Sequence, residues 1–161
     1  MLFGRSDFIN EIDLDYLLSL ELTTIGINCQ EFKTDIIAFL DKPMTHYAFD
    51  DIVIKLTRNY FKGKIKEPVI YYEAPNWNFT HDMVLWWLKE QGVKNVVLIG
   101  CADFIDNVHY NSNLKFNPSE NNINSSINFI ENFKYLNIYT LNPNSKLNIP
   151  RILIKDIKKL W

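Results

Sequence analysis

The sequence predicts an α/β fold of the doubly wound type, in which a mostly parallel β-sheet carries helices on both faces. Short apolar and β-branched runs alternate with segments whose apolar residues recur at helical spacing. Some of these runs, such as Val96 to Ile99 and Ile36 to Leu40, are continuously apolar, which is typical of strands covered on both faces. The 161 residues suffice for one domain with its own core, so we expect a single domain over 1–161.

Six strands and four helices are predicted in order along the chain. The strands are Met1 to Phe3, Thr23 to Asn28, Ile36 to Leu40, Pro68 to Tyr72, Asn95 to Gly100 and Asn137 to Leu141. The helices follow from apolar stripes at Ile9 to Leu20, Phe49 to Tyr60, Met83 to Leu88 and Ile123 to Ile130. Thr80 is the expected N-cap of the third helix, and Gly92 is its expected C-cap. A last amphipathic segment covers Ile152 to Trp161.

Composition and charge exclude several classes of function. The chain is 47% hydrophobic and 22% charged with a formal net charge of -2, a balance that does not favour a nucleic-acid partner. It shows no basic and apolar leader and no apolar stretch of about 18 residues, so we expect a cytoplasmic protein without a membrane span. Cys29 and Cys101 lack metal-site spacing and are expected to be reduced. The four tryptophans and an aromatic segment favour a homo-oligomer.

The candidate ligand site lies beyond the carboxyl ends of the predicted strands. Ligands of open parallel sheets bind there, because loops and helix starts converge at that edge. Polar residues and glycines follow several of the strands, and each of them is also a common turn or cap residue. The candidate ligand-binding residues next to the predicted strands are Gly4, Arg5, Ser6, Asn28, Asp41, Lys42, Gly100 and Asp103.

The first of these turns carries the most chemistry. Gly4 permits close backbone approach, Arg5 can bind a phosphate or carboxylate, and Ser6 places a hydroxyl at a helix start. The alternative interpretation is a simple strand-to-helix turn with Ser6 or Asp7 as N-cap. Neither the G-x-G-x-x-G fingerprint nor the G-x-x-x-x-G-K-S/T loop occurs, which argues against a standard nicotinamide or ATP site.

The histidines are the candidate catalytic bases. His46 and His109 follow or lie in predicted loops, where either can act as general base or phosphate partner. His81, in the first turn of the third helix, is expected at the surface. No histidine pair has the i, i+4 spacing of a helical metal site, and no G-x-S-x-G nucleophile motif occurs. We therefore expect no metal.

Two segments stand out by composition. Asparagines crowd a region whose predicted loop, 105–125, is long enough to be a lid, although AT-rich coding explains the asparagines equally well. The aromatic segment from Tyr71 to Phe79 follows the fourth predicted strand. It can form a wall for a planar ligand, a subunit interface or packing within the monomer, and the sequence leaves these three open.

The order of motifs resembles that of the bacterial sialyltransferase-like proteins of glycosyltransferase family 42 and the related motility-accessory-factor-like Rossmann proteins. The matching segments are Leu2 to Leu17, Ile25 to Phe32, Leu98 to Phe104 and Asn137 to Leu147. The resemblance implies a Rossmann-like fold and a CMP-type nucleotide or nucleotide sugar as ligand. It implies nucleotide contacts for Gly4, Ser6 and Asn28. Further candidate contacts in the matching region and its loop are Asn117, Ser119, Asn142 and Ser145.

The chain also departs from the family. Its opening turn reads Gly-Arg-Ser where the family commonly has G-x-G-P-S, and the chain is shorter, so a full acceptor lid is expected to be missing. The segment Phe116 to Asn122 resembles the stretch that supplies the family's catalytic histidine, but Asn122 stands at that place. Asparagine cannot act as a general base, so His109 would have to replace it.

Two functional hypotheses follow with equal weight. One is a small nucleotide-sugar-dependent glycosyltransferase that uses His109 or His46 as its base. The other is a protein that binds a nucleotide without turnover, such as a phage protein that sequesters a nucleotide immune signal. The missing histidine favours binding alone, because loss of a base stops catalysis and leaves the other ligand contacts in place.

Overall fold

A parallel β-sheet forms the centre of the molecule. The structure, a computed structural model, describes residues 1–4, 6–28, 34–40, 54–101 and 119–161. Within these residues the sheet has seven strands, in the order β5-β4-β3-β2-β1-β6-β7, and each pair of neighbours is parallel. The strands are β1 (Leu2–Phe3), β2 (Ile25–Ile27), β3 (Ile36–Ala38), β4 (Ile54–Thr57), β5 (Val69–Tyr71), β6 (Asn95–Ile99) and β7 (Asn137–Thr140). The predicted α/β, Rossmann-like fold is confirmed.

Helices cover both faces of this sheet. The α-helices of the described residues are α1 (Leu14–Leu18), α2 (Thr80–Glu90) and α3 (Glu120–Asn132). Shorter 3-10 helices span Asp7–Glu11, Asn59–Phe61 and Ile154–Leu160. The first predicted helix is thus two short pieces, because the backbone at Ile12 is extended and Asp13 starts α1 anew by accepting a hydrogen bond from the Tyr16 N–H at 2.9 Å.

The predicted helix from Phe49 to Tyr60 is wrong where the structure describes it. Ile54–Thr57 forms β4, and 49–53 lie outside the described residues. The apolar residues of this segment fit helical spacing and strand alternation equally well over so short a stretch. Pairing decides the outcome, because β4 hydrogen-bonds to both β3 and β5 and buries Lys55, Leu56 and Thr57.

The predicted helix at Ile123 to Ile130 is confirmed and begins at Glu120, so the predicted loop 105–125 ends before this residue. Residues 120–125 form the first turns of α3, while 105–118 lie outside the described residues. Ser119 is the N-cap of this helix, and its hydroxyl oxygen accepts a hydrogen bond from the Asn122 N–H at 3.2 Å. The asparagines of the segment therefore do not prevent a helix, because Ile123, Ile127 and Ile130 keep its apolar spacing.

The core is divided between the two faces of the sheet. Alternate strand residues point to opposite faces, so Ile36 and Ala38 pack with α2 and α3 while Phe3 and Ile99 pack with α1 and the first and last 3-10 helices. A smaller cluster around Phe39 extends the second face toward β5. The continuously apolar strands predicted from the sequence thus have both faces covered.

The strand order reverses next to β1. From β1 the chain moves outward through β2, β3, β4 and β5, and then returns to place β6 on the other side of β1. The boundary between β1 and β6 is therefore the topological switch point, where open α/β sheets form a crevice at the carboxyl ends of the strands. The backbone crosses this boundary in two hydrogen bonds, from the Gly4 N–H to the Ile99 carbonyl at 2.9 Å and from the Ser6 N–H to the Gly100 carbonyl at 3.0 Å.

The two chain segments touch at the switch point because Gly4 has no side chain. A Cβ atom on Gly4 would lie 2.0 Å from the Gly100 carbonyl oxygen and 2.5 Å from the Cys101 Cα atom. Both are backbone atoms, so neither can move aside as a flexible side chain would. Position 4 accepts only glycine as long as the two strands end side by side.

We expect Gly4→Ala to lower the free energy of unfolding by about 3 kcal/mol or more, because the new methyl group overlaps backbone. Gly92→Ala is the matched control. Gly92 has φ +73 and nothing within 4 Å of an added Cβ, so its substitution costs about 1 kcal/mol of conformational strain alone. Urea denaturation of both variants measures the difference. Equal losses would contradict the close contact at Gly4.

Candidate functional site at the switch point

Several predicted site residues lie at the ends of three adjacent strands. Gly4 and Ser6 follow β1, Asn28 follows β2 and Gly100 follows β6, and these strands are neighbours in the order β2-β1-β6. Ser6 and Asn28 are half-buried, whereas Gly100 is buried. The sheet therefore brings a hydroxyl, an amide side chain and two buried glycines to the same edge. Their contact with a ligand stays a prediction.

Asn28 is held in an uncommon backbone conformation. Its φ is +51, in the left-handed region that asparagine tolerates better than most residues. The Asn28 N–H donates to the Ala38 carbonyl at 2.9 Å, and its Nδ2 donates to the Thr80 hydroxyl oxygen at 3.3 Å. The side chain thus points from the end of β2 toward the first residue of α2.

The start of α2 differs from the prediction. Phe79, rather than Thr80, is the N-cap, and Thr80 is the first helical residue. The helix is capped from within by Asp82, whose Oδ2 accepts hydrogen bonds from the N–H groups of Asn78 at 2.9 Å and Phe79 at 3.1 Å. Thr80 is therefore not the capping residue, and its hydroxyl oxygen instead accepts a hydrogen bond from Asn28.

The prediction that His81 lies at the surface is wrong. The residue is only 6% exposed, and its ring stacks on Phe79 with centroids 5.3 Å apart. Its Nε2 atom lies 2.7 Å from the Ser126 Oγ and 3.2 Å from the Asp82 Oδ1, and the Ser126 hydroxyl donates to that same Asp82 oxygen at 3.3 Å. The ring is buried because Ser126 lies on the apolar face of α3, which packs on α2.

This trio of His81, Asp82 and Ser126 is structural in its geometry. A catalytic serine and an orienting carboxylate bind opposite nitrogens of the histidine ring, but here both contact Nε2. Ser126 is also fully buried, so no substrate can reach its hydroxyl. The trio joins the N-terminal turn of α2 to α3.

Burial lowers the pKa of His81, and the nearby Asp82 carboxylate opposes this effect only in part. The folded protein therefore releases the His81 proton more readily than the unfolded chain, whose value is 6.5. Because the pKa is lower in the folded state, the unfolded chain binds more protons once the pH falls below about 6.5. The free energy of unfolding is therefore unaffected by protonation of His81 above this pH, and it decreases as the pH falls toward the pKa of the folded state.

We accordingly expect the free energy of unfolding to decrease between about pH 7 and pH 5. His81→Gln keeps a polar partner for Ser126 but cannot titrate, so its stability should fall less over this range. Urea denaturation at several pH values measures both proteins. His46 and His109 are present in each, so the difference between the two curves isolates His81, and superimposable curves would contradict its lowered pKa.

Other predicted site residues have partners within their own turns. Asn142 and Ser145 follow β7 and are buried. The Asn142 Oδ1 accepts from the Asn144 N–H at 2.9 Å, and the Ser145 Oγ accepts from the Leu147 N–H at 3.3 Å. These contacts are typical of turn residues. A ligand contact for either residue, or for the helix cap Ser119, stays a prediction.

The remaining predicted site residues lie outside the described residues. They are Arg5, Asp41, Lys42, Asp103, Asn117 and both proposed bases, His46 and His109. Asn122, which stands where the resembling family has its histidine, is exposed on the first turn of α3. Their roles stay predictions.

The aromatic segment after β5 packs within the monomer where its contacts are described. Tyr72 and Trp77 pack against the core beneath α2 and α3. Desolvation by its surroundings and a 2.8 Å hydrogen bond to Glu90 raise the pKa of Tyr72 to about 12. The interpretation as intramolecular packing is supported for these two rings, and the ligand wall and the subunit interface stay predictions.

Comparisons with models of protein families, with curated proteins and with solved structures gave no match. The resemblance to glycosyltransferase family 42 therefore stays a prediction. In the part of the chain that the structure describes, no helix is long and apolar enough to cross a membrane, and no three His, Cys, Asp or Glu side chains are grouped to hold a metal ion. The cytoplasmic location and the homo-oligomer stay predictions.

Two residues that shape this region have roles that the sequence pattern did not predict. Thr80 was expected to cap its helix, and Ser126 was not among the predicted site residues. Ser126 occupies a position three residues after Ile123 and four before Ile130, so it lies on the apolar stripe of α3. A serine on such a stripe is a signal for a buried polar partner on the facing helix.

Proposed function

We propose that this chain binds a nucleotide or nucleotide sugar in the crevice where β2, β1 and β6 end. The observation that carries the proposal is the reversal of strand order between β1 and β6, with Ser6 on one side and the Asn28 and Thr80 pair close by. Ligands of doubly wound sheets bind at such reversals. The Gly4 and Gly100 contact supports this by keeping side chains out of the crevice floor.

The polar groups suit the sugar and base of a nucleotide. The Asn28 amide both donates and accepts hydrogen bonds, and its attachment to Thr80 fixes its direction before a ligand arrives. A phosphate is expected nearer Ser6 than the start of α2. The Asp82 carboxylate already binds the N–H groups of Asn78 and Phe79, and its charge opposes an anion there.

Ligand binding without turnover is the function proposed from the described residues. His81 is the one histidine among them, and its ring is buried against Ser126 and Asp82. Asn122 cannot replace it as a base. Glycosyl transfer, which requires His109 or His46 as the base, is the alternative proposal. The two proposals differ in whether the bound ligand is recovered intact or cleaved.

The experiment is a thermal-shift screen against cytidine and other mononucleotides, dinucleotides, cyclic nucleotides and nucleotide sugars, followed by mass analysis of the recovered compound. A ligand at about 100 times its Kd adds about 2.7 kcal/mol of stability. We expect one class to stabilise the protein and to be recovered unchanged. Recovery of a cleaved nucleotide sugar would instead favour the transferase, with His109→Ala as the next variant. A panel without any shift would contradict the crevice.

Asn28→Gly tests the site itself. Glycine adopts the φ of +51 without strain, so the variant removes the amide and leaves the backbone free to stay in place. We expect the Kd of the stabilising nucleotide to rise about tenfold, as for the loss of one or two hydrogen bonds. Asn124→Ala, at an exposed position of α3, is the matched control and should bind like the parent protein. Equal Kd values for Asn28→Gly and the parent would contradict the role of Asn28.

A further inference from the structure

A guanidinium group lies among three aromatic rings at the carboxyl end of β4. The Arg58 Cζ atom is 5.1 Å from the ring centroid of Tyr60, 5.7 Å from that of Phe61 and 5.6 Å from that of Trp77. Tyr60 and Phe61 follow β4, whereas Trp77 comes from the segment after β5. Cation–π contacts from two neighbouring strand ends thus hold the arginine in place.

One guanidinium nitrogen of this arginine, Nε, is buried without a hydrogen-bond partner. Arg58 also forms no ion pair with the described carboxylates. Glu73, at the end of the neighbouring strand, binds elsewhere, because its Oε1 accepts from the Asn59 N–H at 2.7 Å. Buried donors in native proteins nearly always have a partner, so an orphaned guanidinium nitrogen indicates a missing acceptor.

We propose that Arg58 is the anchoring cation of an oxyanion site that binds a phosphate or carboxylate group of a small molecule. Guanidinium presents a planar fork of N–H donors that matches such groups in pairs. The surrounding rings exclude water from one side of it and so strengthen its attraction for an anion. This arginine–aromatic site, defined by Arg58, Tyr60, Phe61 and Trp77, does not depend on the proposed nucleotide crevice.

The position and the charges of the site agree with this role. β4 lies three strands from β1, which places the site about 14 Å from the switch point by the usual strand spacing. A second cation, the Lys64 ammonium, is 4.1 Å from the Tyr60 ring centroid and adds positive charge beside the rings. Tyr60 is 57% exposed, so an anion can reach the group of rings from solvent.

The direct test follows the Arg58 Nε–Hε signal by NMR in 15N-labelled protein. The chain has three arginines, at positions 5, 58 and 151, so these signals are few, and the Arg58→Lys variant assigns the one of interest. The probes are inorganic phosphate, phenyl phosphate, acetate and benzoate at constant ionic strength. We expect a saturable shift of the Arg58 signal and none at Arg151. A stronger response to the phosphates or to the carboxylates identifies the preferred group, and the phenyl compounds report whether the rings also contact the ligand.

Calorimetry with the best of these probes supplies the second measurement. Arg58→Lys keeps the charge but loses the fork, so we expect at least about tenfold weaker binding, while Arg151→Lys should bind like the parent protein. A circular dichroism spectrum shows whether each variant is folded, and the signals of the unmutated protein remain decisive if Arg58→Lys is not. Absence of a saturable Arg58 shift with all four probes, or a parallel shift at Arg151, would overturn the proposal. It would leave Arg58 as a purely structural contact.

Discussion

β1 and β6 end in contact because two glycines leave room for it. The missing Cβ of Gly4 admits the Gly100 carbonyl, and the missing Cβ of Gly100, whose φ is +59, admits the side chain of Ile9. The first contact joins neighbouring strand ends, while the second lets the 3-10 helix after β1 pack over the sheet. The placement of this helix and the hydrogen bond from the Ser6 N–H to the Gly100 carbonyl both depend on this junction.

The fold could be predicted because a buried parallel strand has a strong local signature. Val96 to Ile99 is apolar on both faces, and this pattern can be recognised from the sequence of the strand alone. β4 lacked such a signature. Its Lys55 and Thr57 are buried polar residues in a strand that pairs on both sides, and polar residues in a short apolar segment match a helix as well as a strand.

Only those residues of the candidate site that directly follow a strand could be predicted from the sequence. Asn28 was found because it follows β2, but its partner Thr80 is 52 residues away, and no local pattern connects the two. The same holds for Ser126 and Asp82, which are 44 residues apart. Periodicity shows which side of an element is buried, but it does not show which other element covers that side.

The contact of Ser126 with His81 and Asp82 also determines how the two packed helices are aligned along their axes. Apolar side chains tolerate small displacements, because one methyl group replaces another at little cost. A buried hydroxyl does not, since a slip of α3 by one turn would take Ser126 away from His81 and Asp82 and leave its hydroxyl unpaired, at about 1–3 kcal/mol. The helix that holds Thr80 against Asn28 is therefore kept in register by a hydrogen-bonded link, and the position of Thr80 beside the end of β2 depends on that alignment.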